Sequence, residues 1–140
     1  MDGIVGAHAL ITGGAQGIGL ALAEAMAHRG AAAVSILDVS EEKLKKTAQR
    51  WANSDLRHTL LLTFATDVTD ETQVREAVYS AHARCGTLDF VFANAGIGCG
   101  GVPGLSSYSA SKFAVRGFIE SARLEVGCFP YRVTCDRLNR

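Results

Sequence analysis

The run Thr12-Gly13-Gly14-Ala15-Gln16-Gly17-Ile18-Gly19 places four glycines in eight positions. Bare backbone of this kind lets a pyrophosphate approach amide groups at the start of a helix, where unpaired N–H groups and the helix dipole both favour negative charge. Counted from Gly13 the spacing is G-x-x-x-G-x-G, which departs from the common G-x-G-x-x-G fingerprint. Placement between a strand and a helix therefore carries the reading more than the letters do. A tight turn with no ligand is the alternative. Asp38 lies 19 residues after Gly19. A carboxylate there can accept hydrogen bonds from both ribose hydroxyls of an adenosine and repels a 2′-phosphate. Position 16 is Gln, so the turn itself offers no Arg or Lys to offset that repulsion. The charge logic favours NAD(H), with NADP(H) not excluded. The competing reading has Asp38 help to cap the next helix.

The elements that must position these residues alternate. Residues 7–12 read as a short apolar strand entering the glycine turn, after which Ile18, Leu22, Ala25 and Met26 recur at helical spacing and Gly30 fits a helix end. Residues 33–37 form a second buried-strand candidate. Ser40 then suits an N-cap, Glu41 and Glu42 suit the positive end of a helix, and Leu44, Ala48 and Trp51 make its apolar face. A third strand spans 59–65, followed by Thr69 as N-cap, Asp70 and Glu71 in the first turn, and a stripe of Val74, Ala77, Val78 and Ala81. The fourth strand is expected over 88–93. A glycine-rich run comes after Asn94, then a helix over 107–126 and a last strand over 131–135. Strands that are continuously apolar and alternate with helices predict an α/β fold, with a doubly wound parallel sheet covered on both faces. A single domain over 1–140 is expected.

Composition narrows the function classes. Lys and Arg number 14, matching 14 Asp and Glu, and they form no basic stripe, so nucleic-acid binding has no electrostatic support. Hydrophobic residues make up 48% with only 2 Pro, which argues for a packed globule over disorder. Met1-Asp2-Gly3 lacks the basic start of a secretory signal, and Glu24, His28 and Arg29 interrupt the apolar stretches before membrane-spanning length. A cytoplasmic protein with no membrane partner is expected. Cys85, Cys99, Cys128 and Cys135 make no C-x-x-C pair, and His8, His28, His58 and His82 are scattered, so no metal site is expected.

Further motifs join the glycine turn in a familiar order: Asp67-Val68 after the third strand, Asn94-Ala95-Gly96 after the fourth, and Tyr108-Ser109-Ala110-Ser111-Lys112. With them the chain resembles the short-chain dehydrogenase/reductase family from about Ala7 to Cys135. The resemblance implies a Rossmann-type fold and an NAD(P)-dependent oxidoreductase that interconverts a secondary alcohol and a carbonyl by hydride transfer. It also implies roles: Thr12, Gly13, Gly17, Ile18 and Gly19 at the pyrophosphate, Asp38 at the adenosine ribose, and Asp67 and Val68 at the adenine. Asn94, Ala95 and Gly96 would line the inner cleft, with Tyr108 the catalytic acid/base and Lys112 its ribose-binding partner. Capping and turn formation are equal alternatives for Asp67 and Asn94 taken singly. Four residues apart on one helix, Tyr108 and Lys112 share a face, and an ammonium lowers a phenol from its ordinary pKa of about 10. Such a phenol can donate to a carbonyl oxygen or take an alcohol proton.

Two departures from the family pattern bear on activity. Only eleven residues separate Gly96 from Tyr108. The family has a further helix and strand there, so the fold is expected to be incomplete relative to the family. The family's catalytic serine would fall on Ala95, and its catalytic asparagine has no counterpart. An extended linker of that length spans about 40 Å, so the Tyr108 helix can still reach the cofactor, and the 131–135 strand is expected to pair directly with the fourth. After Cys135 the family continues into a lid, helix and strand, whereas this sequence ends with Asp136-Arg137-Leu138-Asn139-Arg140. Three alternatives to the enzyme stay open: a dinucleotide-binding remnant without turnover, a partner of itself or of a longer relative through the Tyr108 helix, and an altered splice product or gene model.

Overall fold

The computed structural model describes residues 3–96. They comprise β1 (His8–Thr12), α1 (Gly17–His28), β2 (Ala33–Asp38), α2 (Glu41–Ala52), a 3-10 turn (Asp55–His58), β3 (Leu60–Ala65), α3 (Glu71–Cys85) and β4 (Phe90–Phe92). The expected helix over 107–126 and strand over 131–135, with its pairing to the fourth strand, lie outside these residues. The chain divides into two compact units, Met1–Ala95 and Gly96–Arg140, and all of these elements belong to the first.

The four strands lie in the order β3-β2-β1-β4, all parallel, with Leu10 opposite Ser35 and Val91. The chain winds outward from β1 to β3, then returns through α3 to the other side of β1. That reversal opens a crevice beyond the carboxyl ends of β1 and β4, the place where such sheets bind ligands. Alternation along β1 and β2 divides the core between the two faces. Ala9, Ile11, Val34 and Ile36 pack with Ala23, Met26 and Ala27 of α1 and with Leu44 and Trp51 of α2. Leu10 and Leu37 pack with Ala77 and Ala81 of α3. The predicted doubly wound parallel sheet is therefore present, with one helix layer on each face.

Local chemistry sets the ends of the elements. Ser40 caps α2 by accepting from the Lys43 amide, and Trp51 Nε1 donates to the Thr59 carbonyl. Three expectations need correction. Asp70, not Thr69, caps α3, accepting from the Thr72 and Gln73 amides. Its side chain sits one residue closer to those amides, while the Thr69 hydroxyl donates to Asp67. Along α1, Ile18 is 70% exposed and Ala25 is also exposed, whereas Gly19, Ala23, Met26 and Ala27 are buried. The helix presses small residues onto the sheet, which lets its backbone approach closely, and turns Ile18 outward. In α2 the buried face is Leu44, Thr47 and Trp51, because Thr47 donates to the Ala15 carbonyl (3.4 Å), and Ala48 stands at its margin.

Candidate dinucleotide-binding site

The glycine turn is held at three points around the carboxyl end of β1. The Gly13 amide donates to the Leu37 carbonyl (2.7 Å), fixing the turn to β2. The buried Asp38 carboxylate accepts from the Ala15 amide (3.2 Å) through one oxygen and from the Ser40 amide (3.0 Å) through the other. From the end of β4, Asn94 Nδ2 donates to the carbonyls of Thr12 (3.1 Å) and Gly13 (3.2 Å), while Thr12 Oγ1 accepts from the Ala95 amide (2.9 Å). Thr12, Gly13, Asp38, Asn94 and Ala95, each expected at the site, thereby stand around the carboxyl end of β1.

What this clasp presents is the start of α1. Its N-cap, Gln16, makes no side-chain capping bond, and the first turn carries no acidic residue. Among the described residues the amides of Gly17, Ile18 and Gly19 have no acceptor, the first bond into the helix being from Leu20 to the Gln16 carbonyl. The glycines on either side of Ile18 serve different ends. Gly17 has φ +56°, and a Cβ there would meet nothing within 4 Å, so the space in front of the helix is open. Gly19 is buried, and a Cβ there would run into the Gly13 carbonyl oxygen and stand 2.5 Å from Asn94 Nδ2. One glycine keeps room for a ligand; the other lets α1 lie against the turn. Unpaired amides at a helix start with open space before Gly17 fit an anionic group, and the Asp38 carboxylate, bonded to Ala15 of the same turn, fits a ribose diol. Each of its oxygens has a second lone pair free of the backbone bonds above.

The remaining predicted residues are less drawn in. Asp67 is exposed beyond β3 and accepts from both the Thr69 hydroxyl (2.7 Å) and amide (2.9 Å), bonds that hold its carboxyl below the usual aspartate range. The turn-forming role weighed for Asp67 is thus visible. Val68 is 40% exposed next to it. Gly96 has φ +121°. Tyr108 and Lys112 lie outside the described residues. Two further residues escape the sequence reading. Lys43 Nζ of α2 donates to Gln16 Oε1 (2.6 Å), so the fold brings a cation to the helix start that the turn's own sequence lacks. His8, at the opposite end of β1, is 2% exposed and bonded through both ring nitrogens. No sequence signal announces its contacts with partners 27 and 79 residues away. The grooves along the edge strand β3, one under α2 and one beside α3, contain none of the predicted site residues.

The match to known proteins agrees with this geometry. A sequence model of the short chain dehydrogenase family matches residues 7–102. The (-)-isopiperitenol/(-)-carveol dehydrogenase of Mentha piperita is 39% identical over 93 residues, 66% of this chain and 33% of that one. The cis-4-hydroxycyclohexanecarboxylate dehydrogenase of Sinomonas cyclohexanicum is 46% identical over 89 residues, 64% of this chain and 34% of that one. In fold, an NAD+-bound xylitol dehydrogenase superposes with a TM-score of 0.76 at 24% identity, covering 93% of this chain and 68% of that one. The chain spans about a third of the length of the curated relatives it matches. With its glycine turn, its β3-β2-β1-β4 sheet and a family match over most of its length, the chain belongs to the short-chain dehydrogenase family.

Proposed function

We propose that the chain binds NAD(H) at the carboxyl end of β1 and serves the interconversion of a secondary alcohol and a carbonyl. The observation that carries this reading is the trio of unpaired amides at Gly17, Ile18 and Gly19, with open space in front of Gly17, on the turn whose Ala15 amide bonds Asp38. Those amides would hold the pyrophosphate, Asp38 the adenosine ribose, and Asp67 with Val68 the adenine side. Asn94, Ala95 and Gly96 would line the inner cleft. When bound, the nicotinamide would provide the hydride donor or acceptor. The chain supplies the proton: Tyr108 Oη donates to the carbonyl oxygen or takes the alcohol proton, and the Lys112 ammonium four residues on favours the phenolate that results. NAD(H) is favoured over NADP(H) because the Asp38 carboxylate would meet the adenosine ribose and repel a 2′-phosphate.

A second reading, dinucleotide binding without turnover, is supported by the eleven residues between Gly96 and Tyr108 and by the alanine at position 95. A hydrogen-bond donor missing from the developing oxyanion costs about a hundredfold in rate. Titration with NADH, followed by cofactor fluorescence, tests the shared step. Saturable binding lost in Asp38→Ala supports the site, and absence of binding by the folded protein overturns both readings. A carbonyl screen with Tyr108→Phe as control then separates them: turnover abolished by the substitution supports the enzyme, and binding without turnover supports the second reading.

A further inference from the structure

Among the described residues β3 is an edge strand of the sheet. Its pairing with β2 fixes where its backbone groups point. The Leu60 amide donates to the Ala32 carbonyl (3.0 Å) and the Thr66 amide to the Asp38 carbonyl (2.9 Å), so the even-numbered residues face β2. Successive residues of a strand alternate, which turns the amides and carbonyls of Leu61, Thr63 and Ala65 outward. None of these groups has a hydrogen-bond partner among the described residues. Natural edges are commonly blunted by a lysine, a proline or a bulge. Leu60–Ala65 holds no charged residue and no proline, and its register with β2 runs unbroken over all 6 residues. Thr63 and Ala65 are exposed, and an open groove flanks the strand on each side, with Thr63 lining both.

We propose that this edge is an interface to which a second copy of the chain adds its own β3, antiparallel, about a two-fold axis at Thr63. The inference is independent of the dinucleotide reading above. In that register the outward groups of Thr63 meet those of Thr63 in the other copy, and those of Leu61 meet Ala65, so each open donor of the edge finds an acceptor. The side chains match as well. Leu61, which packs with the α2 side of the core, comes opposite Ala65, and on the α3 side Leu62 comes opposite Phe64. Thr63 comes opposite its own counterpart, a cross-strand pair that hydroxyl hydrogen bonding favours. Charge selects the antiparallel sense. Arg57, shortly before the strand, makes no ion pair among the described residues, and its neighbour Asp55 lies by His28 (4.0 Å). Asp67 and Asp70 are exposed beyond the other end of the strand. Antiparallel pairing brings Arg57 of each copy toward those carboxylates of the other, whereas parallel pairing sets like charge against like. A two-fold pair covers both edges and closes at the dimer. One strand pair with its flanks is smaller than a standard interface, so the dimer is weak, with a Kd of about 10–100 μM.

The test is sedimentation velocity on the full chain from about 1 μM to about 1 mM, for wild type, Thr63→Lys, Thr63→Glu and an equimolar mixture of the two variants. Thr63 is exposed, and circular dichroism checks that each variant is folded. Wild type is expected to dimerise reversibly. Each variant alone sets like charges face to face at the two-fold and is expected to weaken the dimer at least about tenfold. The mixture sets ammonium against carboxylate and is expected to recover the wild-type affinity to within about threefold, a result that no surface away from Thr63 produces. Hydrogen exchange at the Leu61, Thr63 and Ala65 amides should slow as the wild-type concentration rises. A wild type that stays monomeric throughout overturns the proposal, as does a dimer that survives Thr63→Lys or a mixture no more associated than its components. If the variants unfold, wild-type exchange decides: protection at Leu61, Thr63 and Ala65 that does not change with concentration overturns it.

Discussion

At its amino end β1 is tied to its neighbours through His8, and at its carboxyl end through Thr12 and the glycine turn. Both ends use buried or half-buried polar groups reaching across to β2 and to the β4 segment. At the amino end the His8 amide donates to Asp89 (2.8 Å), and the Asp89 amide returns a bond to the His8 carbonyl (2.9 Å). The ring stands 2.6 Å from the Thr87 carbonyl at Nδ1 and 2.7 Å from Ser35 Oγ at Nε2. A carbonyl only accepts, so Nδ1 carries the proton and Nε2 accepts from the Ser35 hydroxyl. Every polar atom of the ring is used. At the carboxyl end the clasp is similar in kind, yet it stops short of the Gly17, Ile18 and Gly19 amides. A buried polar group left unpaired costs stability, so a protein keeps open donors where water or a ligand will meet them. The contrast separates polar contacts that hold the sheet from those that leave it ready to bind.

The sharpest way to break the contrast is Gly19→Ala. A methyl group aimed at the Gly13 carbonyl must move α1 or the turn, and overpacking of this kind costs about 3 kcal/mol. A large fall in Tm together with loss of NADH binding is expected, measured by thermal unfolding and titration. At the other end, His8→Leu strands the Ser35 hydroxyl and the Thr87 carbonyl and is expected to cost about 2 kcal/mol, with NADH affinity unchanged.

The same histidine makes stability depend on pH. Burial pushes its imidazole below the ordinary value of 6.5; the bond to the Thr87 carbonyl and the Asp89 charge oppose this, and His82 adds to it. The unfolded chain thus takes up the proton first. This contribution is full above about pH 6.5 and is lost as pH falls through that value toward the lower folded one. Denaturation midpoints measured from about pH 5 to about pH 8 should show that loss in wild type and not in His8→Leu.

Smaller in stability, and more telling for the comparison, is Gly17→Ala. An L-residue at φ +56° costs about 1–2 kcal/mol, but the added Cβ meets no protein atom. It stands instead in the space before the open amides. The variant is expected to fold and to bind NADH at least about tenfold more weakly, a split that Gly19→Ala cannot show.

Much of this was legible in the sequence. Apolar runs bounded by turn residues placed all four strands to within a residue or two at each end; β1 and β2 are buried on both faces, which demands continuous apolar strands, while β3 and β4 are partly exposed. Asp38, Asn94 and the glycines were legible as a set because the family order links them. Side-chain direction was less so. The period along α1 suggested Ile18 and Ala25 on the buried face, but close approach of the helix selected Gly19, Ala23 and Ala27. Contacts between distant positions left no local mark: Lys43 with Gln16, His8 with Thr87, and Asn94 with Thr12 each depend on the strand order bringing together residues the sequence keeps apart.

The central claim is that the two ends of β1 differ in what they leave free to bind. Backbone amide chemical shifts recorded during an NADH titration of the labelled chain test it most directly. The account predicts large, saturable shifts at Gly17, Ile18 and Gly19, with His8, Thr87 and Asp89 unmoved. Shifts concentrated at the His8 end, or none in the glycine turn at saturating NADH, would contradict it.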